Sequence, residues 1–301
     1  MPNYSGKWRL PTVMQAEGAG TWPKRPYELW AWGDNAYGCL GLGDLTDRSS
    51  PVQVAGEIWS DISFGGGSGS TQPSTLALKT DGTLWAWGRN NAGQLGQGNT
   101  TDRSSPVQIG ALTTWSKIAS GNGWFSLAIK TDGTFWSWGR GYGGSLGHGN
   151  SSDLNSPVQV GALTDWLDVA AGYTGSMALK TDGTIWMMGK GASGQNGQGN
   201  TDEFSSPVQV GALTTWSKIS SGGWWVTALK TDGTIWATNY SSPVQVGALT
   251  TWLQVAAGNY YNTGVALAIK TDGALWAWGE NSDGQLGDGT TVDKSSPVQV
   301  G

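Results

Sequence analysis

Six copies of one pentapeptide, Ser-Pro-Val-Gln followed by Val or Ile, end successive units of roughly fifty residues in this chain. They fall at positions 50–54, 105–109, 156–160, 206–210, 242–246 and 296–300. No other feature limits the fold as strongly, because a unit this small cannot bury an apolar face alone and must stack on its neighbours. The repetition also provides an internal control. Positions held constant between copies are expected to be scaffold, and positions that change are where function can reside.

Within a unit the apolar runs are four to six residues long, which suits strands and is too short for helices. The third copy shows them most clearly: a run beginning at Trp115, then Ser126-Leu-Ala-Ile-Lys130, then Phe135-Trp-Ser-Trp-Gly139, a Gly-rich loop, and the closing pentapeptide at 156–160. Asp-Gly pairs recur between two apolar runs at 81–82, 132–133, 182–183, 232–233 and 272–273. Glycine there supplies the positive φ of a tight hairpin. The pairs Trp30/Trp32, Trp85/Trp87, Trp136/Trp138 and Trp276/Trp278 lie two residues apart and so share one face of a strand. With charged residues at only 13% but 49 Gly and 20 Trp, the chain is polar without being disordered. The Trp-x-Trp residues read as packing between units.

Four short strands per unit make a blade, and blades set radially make an all-β propeller of six four-stranded blades. The segment Leu78-Lys-Thr-Asp-Gly-Thr-Leu-Trp-Ala-Trp-Gly88 with Gly93-Gln-Leu-Gly-Gln-Gly98, repeated in the other copies, resembles the regulator of chromosome condensation repeat family. That resemblance covers nearly all of residues 29–301 and implies a propeller that binds proteins. Two departures stand out: the family typically has seven blades, and the fifth unit runs from Trp236 to Ser241 without its Gly-rich loop. The fifth unit is read as a true blade with a deleted loop.

Residues 1–28 form a separate leader. Trp8 falls near the place that Trp115 occupies in its unit, so the two termini are expected to pair and close the ring, protecting open edges. The stretch Tyr4-Ser-Gly-Lys-Trp-Arg-Leu10, with Met14-Gln-Ala16 and Gly20-Thr-Trp-Pro23, instead resembles N-terminal segments of marine bacteriophage tail-fibre-like structural proteins, implying an attachment element.

Several chemistries lack the residues they need. A net charge of −5 argues against nucleic-acid binding, which requires clustered Lys and Arg. No run of about eighteen apolar residues is present, so no transmembrane helix and no membrane insertion are expected. Cys39 is the only cysteine and His148 the only histidine, which leaves no disulfide, no metal-ligand spacing and no catalytic triad; no enzyme activity, metal or cofactor is expected. The Gly-rich loops lack the Lys-Ser/Thr ending of a phosphate loop and read as turns. Asp47, Asp102, Asp153, Asp202 and Asp293, one per unit, read as local hydrogen-bond acceptors.

Function is expected where the copies differ. The segment before each Leu-Ala-Leu-Lys strand varies in length and aromatic content, and symmetry puts all copies on one face around the channel mouth. Trp124, Phe125, Tyr173, Trp224, Trp225, Tyr260 and Tyr261 are the candidate ligand-binding residues, an aromatic rim suited to sugar rings or to a protein hot spot. The residue after Trp-Gly also varies in sign: Asp34, Arg89, Arg140, Lys190 and Glu280. No copy holds the Gly-x-x-His-Ser pattern frequent in the family, so nucleotide exchange does not carry over. The expected function is a non-enzymatic binding propeller of a bacteriophage virion, folded in the host cytoplasm, that recognises a host-surface glycan or another virion protein. The alternative is a cytoplasmic protein-interaction scaffold or inhibitor.

Overall fold

The computed structural model describes residues 28–55, 58–66, 73–122, 124–191, 197–223, 225–238, 243–260 and 263–301. They form an all-β, six-bladed propeller: five four-stranded antiparallel sheets and a first sheet of two strands, Trp30–Gly33 and Arg48–Gln53. In the third blade the strands are Trp115–Gly121, Phe125–Lys130, Phe135–Gly139 and Leu154–Gln159, paired in chain order. The fifth blade keeps its sheet despite the missing loop, with a fourth strand of only two residues, Val244–Gln245.

The tryptophans hold blade to blade. Trp166, which opens the fourth blade, packs with Leu127 and Phe135 of the third. Trp115 does the same on Leu76, Leu78 and Leu84 of the second. In the second and third blades the second tryptophan of the pair is locked by polar contact as well: Trp87 Nε1 donates to the Cys39 carbonyl and Trp138 Nε1 to that of Gln94, each at 2.9 Å across a blade junction. Strand hydroxyls reach the same carbonyls, Thr75 Oγ1 at 3.0 Å and Ser126 Oγ at 2.7 Å. These bonds explain the glycine in the receiving loop. At Gly96 φ is +68° and an added Cβ would lie 2.8 Å from Trp138 Nε1.

Buried amides set the shape of the Gly-rich loops. Asn90 is fully buried, accepts from Leu95 N (2.9 Å) and donates to two loop carbonyls, while Asp102 Oδ1 accepts from Asn90 N at 2.7 Å. Asp47, Asp153 and Asp293 accept from Asn35, Gly141 and Asn281 in the same way. Four of the five recurring aspartates, Asp47, Asp102, Asp153 and Asp293, are therefore local acceptors, as their position in each unit suggests, whereas Asp202 stands one residue before the equivalent place, which Glu203 holds.

Two opposite ends of the blades result. One end carries the Asp-Gly hairpins and the linkers into the next blade. Gly82, Gly133, Gly183 and Gly233 lie against the carbonyls of Thr113, Thr164, Thr214 and Thr250, so the hairpins of blades two to five dock on the following linkers. The other end carries the Gly-rich loops and the turns between first and second strands. Where first and sixth blades would meet, Trp32 is 54% exposed and Leu275 38%, against 1% for Trp87 and 0% for Leu84 within the stack. The expected closure by the termini, and the leader itself, concern residues 1–27, which lie outside the described residues.

Candidate functional site

The loop end brings together two variable series that are far apart in sequence. The residue after the glycine that closes each third strand donates its backbone N–H to the turn between first and second strands or to the strand start beside it: Arg89 to Pro73, Arg140 to Trp124, Lys190 to Thr174 and Glu280 to Gly264, at 2.8–3.2 Å. Each turn is thus fixed beside one charged side chain. The signs are not scattered: blades two, three and four carry Arg89, Arg140 and Lys190, whereas blades one and six carry Asp34 and Glu280.

The third blade shows how such a turn is built. Asn122 takes a left-handed conformation (φ 44°), one that Asn tolerates better than most residues, and Trp124 N closes the turn on the Gly121 carbonyl at 2.9 Å. The Arg140 guanidinium then lies 4.7 Å from the Trp124 ring centroid and 5.2 Å from that of Tyr142, a half-exposed residue of the neighbouring Gly-rich loop. Lys190 Nζ of the fourth blade is 4.2 Å from the same Tyr142 ring and 3.4 Å from Glu203 Oε1. The Tyr142 hydroxyl and then the Glu203 carboxylate hold Lys190 above the ordinary lysine range, so it stays charged. In the second blade Arg89 stacks at 4.3 Å on Tyr37. Cations lying on aromatic faces attract the ring quadrupole and lose side-chain freedom in doing so.

The seven expected aromatics fare differently. Trp124 is half-buried and belongs to this cluster. Tyr173 is 37% exposed, and its backbone N–H reaches the Gly223 carbonyl of the next blade at 2.9 Å. Phe125 is not a rim residue. It is 1% exposed in the core, because it pairs with Gly121, whose missing side chain leaves room for the ring. Trp225 opens the strand Trp225–Lys230 and Tyr260 ends the strand Trp252–Tyr260, at the same end of their blades. Trp224 and Tyr261 lie outside the described residues. Tyr37 and Tyr142 were not legible as site residues, since both sit in loops otherwise explained by turn glycines. The available signal was an aromatic two or three residues after the variable charge.

The single histidine does not make a nucleophile. Ser137 is fully buried, donates its hydroxyl to the Leu146 carbonyl (2.7 Å) and lies 2.9 Å from His148 Nε2. The serine proton therefore points away from the imidazole that a general base would have to be. Burial pushes the Cys39 thiol up to about 12, aided by Asp34, so it remains protonated.

Fold and face together define a repeat-built propeller with a loop surface arranged for binding. The chain belongs to the regulator of chromosome condensation (RCC1) repeat family, whose repeat matches residues 28–68, 81–129, 132–179, 182–229 and 272–301; a second form of that repeat matches 59–94 and 252–285. Human E3 ubiquitin-protein ligase HERC2 is 37% identical over 152 residues, which is 49% of this chain and 3% of that protein. The ultraviolet-B receptor UVR8 of Arabidopsis thaliana is 38% identical over 145 residues, 48% of this chain and 32% of the receptor. The chain thus spans a third or less of these relatives. Among solved structures, yeast RCC1 (Prp20) bound to Kap60 superposes with a TM-score of 0.76 at 19% identity, covering 91% of this chain and 71% of that one. Human WBSCR16 gives 0.70 at 17% identity, covering 92% and 94%. At such identities the likeness shows the fold.

Proposed function

We propose that this propeller is a non-enzymatic protein-interaction scaffold whose loop end, on blades two to four, is the binding face. The observation that carries this reading is the Trp124–Arg140–Tyr142–Lys190 cluster. It is a partly exposed, pre-ordered set of aromatic and cationic side chains of the kind that dominates protein hot spots. Yeast RCC1 (Prp20), a protein of similar fold, has a solved structure with Kap60 bound to it, which supports the same class of partner. The test is affinity capture on the immobilised chain, run in parallel with a Trp124→Ala plus Tyr142→Ala variant. A partner retained by the first and lost by the second is expected; equal retention would refute the assignment of the face. A virion protein that recognises a host-surface glycan is the second reading. It draws on the leader and on the exposed rings of Tyr142 and Tyr173, and binding to a glycan array in place of protein would favour it.

A further inference from the structure

The three cations on the binding face are not equivalent. Arg89 Nε lies 3.8 Å from Asp102 Oδ2, and Lys190 Nζ 3.4 Å from Glu203 Oε1. In both blades the acid follows the cation by the same offset, 102 − 89 = 203 − 190 = 13 residues. The third blade keeps an acid at that offset, Asp153 (153 − 140 = 13), and uses it to accept from Gly141 N at 2.9 Å. Yet Arg140 forms no ion pair among the described residues, and its guanidinium is stacked on Trp124 and Tyr142 instead.

We infer that Arg140, framed by Trp124 and Tyr142, is a carboxylate-binding site that takes an Asp or Glu side chain from an acidic segment of the partner. This rests on the protein-binding reading of the same face. A guanidinium carries five N–H donors in its plane, and the Arg140 side chain has no hydrogen-bond or ion-pair partner among the described residues, only the two rings. Those donors match the two oxygens of a carboxylate in a bidentate pair. Stacking orders the long side chain before the partner arrives, which lowers the entropy cost of binding. The ligand class is indicated by the sister blades, where the equivalent cations face carboxylates from the chain itself. With Arg89 and Lys190 already paired to acids of the chain, Arg140 is the cation of the three left to attract an acidic segment of a partner.

The test uses two fluorescein-labelled pentapeptides, Glu-Glu-Tyr-Glu-Glu and its Gln counterpart, titrated into the full chain at low and high salt by anisotropy. The Glu peptide is expected to bind, with the Gln peptide at least tenfold weaker. Arg140→Gln should weaken the Glu peptide at least tenfold, Arg140→Lys should restore only part of that loss, and Arg89→Gln should change it less than threefold. Unchanged circular dichroism for each variant excludes a folding defect. Equal binding of the two peptides, no binding at millimolar peptide, an Arg140→Gln variant that binds like the parent, or inorganic phosphate competing as well as the Glu peptide would each overturn the inference. A captured protein partner that depends on Trp124 and Tyr142 but not on Arg140 would overturn it too, while leaving the protein-binding reading in place.

Discussion

The hairpin end and the loop end of the same blades are built on opposite rules. At the hairpin end, Asp132 Oδ1 accepts from Thr134 N and Thr134 Oγ1 (3.0 and 2.7 Å), Thr134 Oγ1 accepts from Trp136 Nε1 (2.8 Å), and Lys130 Nζ lies 3.5 Å over that indole. Blades two, four and five repeat the hydrogen-bond chain through Thr83, Thr184 and Thr234 with distances within 0.1 Å. At the loop end the contacts differ between blades: Arg89 meets Tyr37, Arg140 meets both Trp124 and Tyr142, and Lys190 meets Tyr142. Where every copy solves the same packing problem, the solution is copied; where copies diverge, packing does not dictate the residue and binding can.

The largest effect expected from this contrast is in the scaffold. Trp138→Ala removes a fully buried indole and its bond across the junction, and should cost about 3–5 kcal/mol, read as a lower urea midpoint. A loss under ~1 kcal/mol would mean that the repeated tryptophans are not the scaffold. Next come the hairpins, where the sixth blade is a natural variant: Ala274 stands in the threonine place and Trp276 Nε1 is buried without a hydrogen-bond partner. Thr134→Val should destabilise by about 1–2 kcal/mol and Ala274→Thr should stabilise by about 1 kcal/mol in the same denaturation assay. Equal and negligible changes would break the claim that the copied chain of bonds matters. At the loop end, Tyr142→Ala should alter stability by less than about 0.5 kcal/mol, because the ring is half-exposed, while weakening partner binding about tenfold.

The smallest expected effect involves His148, whose value burial pushes below the ordinary 6.5. The unfolded chain therefore binds the proton first as pH falls. Stability from this residue is complete above pH 6.5 and is lost as pH drops from there toward the lower folded value. His148→Gln, the residue at the matching positions Gln97 and Gln198, should remove that part of the fall in Tm between pH 7 and pH 5. An unchanged pH profile would show that the imidazole titrates freely.

Blade count, strand order and the scaffold role of the tryptophans were legible because each rests on local patterns repeated along the chain: Asp-Gly turns, period-two apolar runs and the closing pentapeptide. The accepting aspartates near the loop ends were legible for the same reason. The site was legible only in outline. Trp124 and Tyr173 stand out as aromatics in a variable turn, but Phe125 looks identical in sequence and is buried, since its direction depends on pairing with Gly121 across the strand. The stacking of Arg140 joins residues from a turn, a strand end and a loop, a juxtaposition that only the closed blade creates. The segregation of Arg89, Arg140 and Lys190 from Asp34 and Glu280 was visible in the order of the units, yet its meaning depends on all five sharing one end.

The central claim is that the loop end binds and the hairpin end does not. Amide hydrogen exchange of the partner-bound chain tests it directly. Protection is expected at residues 121–125, 140–145 and 173–175, with the Asp-Gly turns at 81–82, 132–133 and 182–183 unchanged. Protection confined to those turns and the linkers beside them would contradict it.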